Sequence, residues 1–141
     1  MKSLLPLLES ELSAQLEASG LLSVPVLPGQ GDGTRPDEYV SIVASGAEHR
    51  GAAHLVNLEI RVVGPVYGTS VASLSERQQV VYEWATSDES PLKSYEANGL
   101  RIFGHSPAFL SSDLKDTRRA EILEFKVGAM IAGCPPVDAT P

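Results

Sequence analysis

Leucines recur at positions 4, 5, 8, 12 and 16, while Glu9, Gln15 and Glu17 take other faces. Spacings of one, three and four make the stripe of an amphipathic helix, which serves as a core face or a partner-binding face. Ser3 is placed to cap it, and Pro6 falls in the first turn, where a missing N–H costs little. Gly20 follows the last periodic residue and suits the left-handed position after a helix. Leu21 to Leu27 reads as a short strand that Pro25 restricts to a sheet edge. Residues 28–36 hold three glycines and two prolines and predict a loop. Tyr39 to Ala44 is rich in β-branched residues and predicts a strand, with a polar connection over 45–51. From Ala53 to Val63 the alternation is clearest: Val56, Leu58, Ile60 and Val62 interleave with Asn57, Glu59 and Arg61.

Gly64-Pro65 ends that strand. Thr69 or Ser70 caps a second helix running to about Ser87, with Val71, Leu74, Val81 and Trp84 on its apolar stripe. Pro91 opens a short turn, and Asn98-Gly99 is a strong hairpin signal. Leu100 to His105 is a strand. Ser106 to Asp116 reads as a loop because Pro107, Ser111, Ser112 and Asp113 crowd it. Arg118 to Ile131 is a long last strand, with Leu123, Phe125, Val127, Ala129 and Ile131 on one face. The expected fold is α+β: a mainly antiparallel sheet of about four to five strands with two helices packed on one face. One domain covers 1–131, and 132–141, with three prolines and no periodicity, is expected to be a disordered tail.

Composition narrows the function without naming it. The 141 residues carry 18 acidic and 11 basic side chains, a net charge of −7. A general nucleic-acid binder needs a basic face to release phosphate counterions, so this balance argues against one. A single cysteine excludes a disulfide framework within the chain and a multi-cysteine zinc site. No apolar run is long enough to span a bilayer, and Glu9 and Glu11 interrupt the N-terminal leucines before a signal sequence forms. The expectation is a soluble, cytoplasmic protein.

The chemical motifs are weak. Gly29-Gln-Gly-Asp-Gly33 lacks the lysine and the strand-to-helix setting of a phosphate loop. His49, His54 and His105 show no metal-binding spacing. Ser70, Ser106 and Ser111 lie on no nucleophile elbow. Cys134 has no basic cluster to activate it. Glu121 and Glu124 fall on opposite strand faces, so they share no acid–base site and suit ion pairs with Arg61 or a neighbouring subunit. Catalytic, cofactor and metal residues are therefore expected to be absent. Two strands instead carry charge on their non-core faces, Glu59 and Arg61 on one and Glu124 and Lys126 on the other. Alternating signs there suit either a solvated face or a subunit interface.

The order of elements resembles the tail terminator (tail completion or neck) proteins of tailed bacteriophages. The resemblance runs over residues 1–131. It is carried by the Leu4–Leu16 helix, Val24-Pro25-Val26, Tyr39-Val-Ser-Ile-Val, Leu55-Val-Asn-Leu-Glu-Ile-Arg-Val-Val, the helix after Gly68 with Leu74 and Val81, Asn98-Gly-Leu-Arg-Ile-Phe-Gly, and Glu121-Ile-Leu-Glu-Phe-Lys-Val. It implies a non-enzymatic virion protein that closes as a homo-hexameric ring on the last ring of the tail tube. Such a ring stops tube growth and gives the head–tail connector or stopper a docking surface. It also meets sheath protein in sheathed tails, and DNA passes its lumen without tight binding. Gln30, Asp32 and Arg35 in one loop, and Glu48, His49 and Arg50 in another, are then candidate tube or connector contacts. Glu59, Arg61, Glu124 and Lys126 are candidate inter-subunit charges. The alternatives are another neck or tube ring protein, such as a stopper or adaptor, and a small α+β enzyme or ligand-binding domain.

Overall fold

The computed structural model describes residues 4–29, 38–50, 53–65, 71–115 and 118–131. Along the chain they form α1 (Leu4–Ala18), β1 (Val26–Pro28), β2 (Tyr39–Arg50), β3 (Ala53–Pro65), α2 (Val71–Thr86), β4 (Tyr95–Ala97), β5 (Leu100–His105), β6 (Phe109–Lys115) and β7 (Arg118–Ile131).

Two long antiparallel hairpins make the frame. β2 pairs with β3 from Tyr39↔Val63 to Arg50↔Ala53, and β6 pairs with β7 from Phe109↔Glu124 to Lys115↔Arg118. β3 and β7 then pair antiparallel along Pro65↔Arg118 to His54↔Ala129, which joins the hairpins. The sheet order is β1-β2-β3-β7-β5-β4, with β6 also on β7. β5 and β6 share one edge of β7, β5 along Val127–Ile131 and β6 along Arg118–Glu124. Ser106 bridges the break between them: its N–H donates to the Lys126 carbonyl at 2.8 Å, and its Oγ accepts from the Lys126 N–H at 2.9 Å.

The α+β class stands, but the expected sheet of four to five mainly antiparallel strands is overturned. Seven strands form a mixed sheet, with β1 parallel to β2, and the sheet curls into a half-barrel. Long strands accumulate right-handed twist, and β2, β3 and β7 run for 12, 13 and 14 residues. The expected polar connection at 45–51 is instead the second half of β2. Gly46, at φ 57°, takes up a bulge between Ser45 and Ala47 that lets pairing resume. The expected loop at 106–116 contains β6, and β4 pairs with β5 across the Asn98-Gly99 turn. The first strand is only Val26–Pro28. The proposed caps Ser3, Thr69 and Ser70, and the segment 132–141 with Cys134, lie outside the described residues.

The alternation read on the two longest strands sets the core. Val56, Leu58, Ile60 and Val62 of β3 lie beside Leu123, Phe125, Val127 and Ala129 of β7, all buried in one cluster with Leu8, Leu12 and Leu16 of α1 and Leu74, Val81 and Ala85 of α2. The α1 leucine stripe is therefore a core face. Its polar residues have structural partners too. The Glu9 carboxylate accepts the Ala44 N–H at 2.8 Å, and the Glu17 carboxylate accepts the Val26 N–H at 3.1 Å. Each occupies a donor that the short β1 strand leaves at the sheet edge. Glu11 accepts from the Tyr95 hydroxyl at 2.7 Å and the Asn98 side-chain amide at 2.8 Å, tying α1 to the β4–β5 turn. On the sheet's other face, Val63, Ala120 and Ile122 form a small buried cluster with Tyr39 against it.

Candidate functional site

The face opposite the helices carries the predicted charges. Glu59 lies directly opposite Glu124, and Asn57 opposite Lys126. Like charges facing each other across strands repel, and Arg61 offsets this. Its Nε donates to Glu59 at 3.1 Å, and its Nη2 reaches Asp113 of β6 at 3.5 Å. The structure thus brings Glu59, Arg61, Glu124 and Lys126 onto one surface. It pairs Arg61 within the chain, with Glu59 and Asp113 rather than with Glu121 or Glu124. Glu121 points to the helix side, is buried, and binds the Arg119 Nε at 3.0 Å and the Ser112 hydroxyl.

The two predicted contact loops fare differently. Gln30, Asp32 and Arg35 lie outside the described residues. Glu48, His49 and Arg50 stand in β2, opposite Leu55, His54 and Ala53, so they belong to a strand and not to a loop. Glu48 is exposed.

The remaining chemical candidates are placed as follows. Among the described residues no three His, Cys, Asp or Glu side chains come together to hold a metal ion. The His105 Nδ1 lies 2.6 Å from the Ser106 carbonyl, not the Ser106 hydroxyl, which donates to Pro107. The His105 ring meets Phe125 edge-on at 5.3 Å. Ser106 and His105 are therefore engaged in holding the β5–β6 break. Two grooves flank that break on the charged face. One is lined by Asn57, Phe109, Glu124 and Lys126, and the other by Leu55, Phe103 and Gly128.

The sequence reading missed the β6 edge. Phe109, Leu110 and Leu114 are 66%, 53% and 63% exposed, and Phe103 on β5 is 46% exposed. Four of the five large hydrophobics exposed among the described residues thus follow one edge of β7. Leu110, Ser112 and Leu114 sit on the helix side, opposite Leu123, Glu121 and Arg119, while Phe109, Ser111 and Asp113 face the charged side. Arg101 stacks over the Phe103 ring at 5.0 Å. The signal was present as Leu110-x-x-x-Leu114, which is same-face strand spacing, but the polar residues between masked it.

The other strand edges are blunted. β1 has three residues, begins after Pro25, ends in Pro28 and has Glu17 on its first N–H. β4 has three residues. Beyond Ile42, β2 is bulged at Gly46 and has Glu9 on the Ala44 N–H. β6 has seven residues, pairs in continuous register on one side, and among the described residues pairs with β7 alone. Short strands, prolines, bulges and carboxylates are the usual protections of an edge, and β6 has few of them.

By sequence the chain matches no family model and no curated protein. No helix among the described residues is long and apolar enough to cross a membrane.

Proposed function

We propose that the chain is a structural virion protein, the tail terminator of a tailed bacteriophage. In this reading six copies close as a ring on the last ring of the tail tube. The ring stops tube polymerisation and gives the head connector a surface to dock on, with sheath protein as a further neighbour in contractile tails. It is not an enzyme and needs no cofactor.

The observation that carries the reading is the kind of surface the molecule exposes. A seven-residue strand that pairs with β7 alone among the described residues, with exposed Phe109, Leu110 and Leu114, adjoins a sheet face bearing Glu59, Arg61, Glu124 and Lys126. Assembly surfaces are strand edges and charged faces that other chains complete. The element order of the resemblance supports the choice of assembly. A net charge of −7 suits a lumen through which DNA moves without being held.

Gold-labelled antibody against the chain, applied to particles from the host that carries the gene, tests this directly. Label confined to the head–tail junction is expected. Label along the tube, inside the capsid or on no particle would overturn the reading.

A further inference from the structure

The β6 edge is complementary to itself. When one β6 is laid antiparallel beside a second copy, centred on Ser112, Leu110 of each chain falls opposite Leu114 of the other. In the same register Ser111 falls opposite Asp113, Phe109 opposite Lys115, and Ser112 opposite Ser112. An antiparallel pair with a two-fold axis through its centre keeps each face of one strand on the same side as that face of its mate. The four leucines therefore meet on the helix side, where each is more than half exposed in the single chain. No like charges face each other in this register.

A head-to-tail contact made strand to strand would instead need two open edges, so in a ring the copies would meet through other surfaces, such as the charged face, and β6 would be left for a tube or connector chain. The described chain offers one open edge of this length in unbroken register, because β1, β4 and the outer half of β2 are short, bulged or capped by carboxylates.

We propose that, off the tail, the protein is a two-fold dimer through β6, joining two seven-stranded sheets into one. The dimer covers the apolar edge until a particle partner displaces the mate. It goes beyond the terminator reading, since a ring closing by repeated rotation uses head-to-tail contacts and requires this pair to open.

The test uses the full chain with Cys134→Ser and one new cysteine. Light scattering of the unmodified protein should give twice the 15.0 kDa chain mass. Leu110→Cys and Leu114→Cys should each fail to form a disulfide alone and should cross-link when mixed. Leu110→Lys should return the mass to 15.0 kDa with the thermal transition of the fold retained, which separates lost pairing from lost folding. A monomeric unmodified protein, or cross-linking of either single variant with itself, would overturn the dimer. A hexamer in solution would overturn it too, while favouring the terminator reading.

Discussion

Gly64 shows how closely one residue sets the packing of the sheet on its helix. A Cβ built there would lie 2.9 Å from Leu74 Cδ2, so nothing larger than glycine fits unless Leu74 moves. Gly64→Ala should cost about 1–3 kcal/mol in urea unfolding, the usual range for overpacking. A second residue-scale device is the Tyr95–Glu11 hydrogen bond. Burial, followed by the hydrogen bond to the Glu11 carboxylate, raises the Tyr95 pKa from 10.0 to about 12. The unfolded chain therefore releases this proton first as pH rises. The contribution to stability is full below pH 10 and is lost as pH climbs through about 12. Tyr95→Phe should flatten that alkaline decline, as read by thermal melts across the range. A slope unchanged by the substitution would remove Tyr95 as its source.

Elements were legible in the sequence where one physical signal dominated. The α1 stripe, the alternation of β3 and β7, and Asn98-Gly99 all appear in the structure as read. Asn98 at φ 54° and Gly99 at φ 85° form the two-residue hairpin turn those residues favour. Gly99→Ala should cost about 1–2 kcal/mol by forcing a Cβ into the left-handed region, measurable in denaturant melts. The second half of β2 and all of β6 were not legible. Residues 47–50 of β2 pair with β3 but lie beyond the reach of β1, which pairs only with Val40–Ile42, and the Ser112 hydroxyl donates to buried Glu121. Polarity that comes from edge position or an internal hydrogen bond looks like a loop in a one-dimensional pattern. The same confusion hid the candidate surface: the charged pairs on β3 and β7 were visible, whereas the apolar β6 edge beside them was not. An independent check on β6 as an element is amide exchange. Leu110 to Leu114 should be protected on the β7-facing amides, and Leu110→Lys, which opens the dimer, should expose the others.

At the scale of the whole molecule, two hairpins joined through β3 and β7 give a curled sheet, with both helices in the core cluster on one side. The charged face and the β6 edge lie outside that core, and among the described residues β6 pairs with β7 alone. In the terminator reading proposed above, these surfaces join the chain to the end of a tail tube. Inactivating the gene in the phage or prophage that carries it, then imaging the particles by electron microscopy, tests that reading most directly. The expected result is tubes of uncontrolled length without attached heads, restored to normal length and joining when the intact gene is supplied. Tails of normal length joined to heads in the absence of the protein would contradict it.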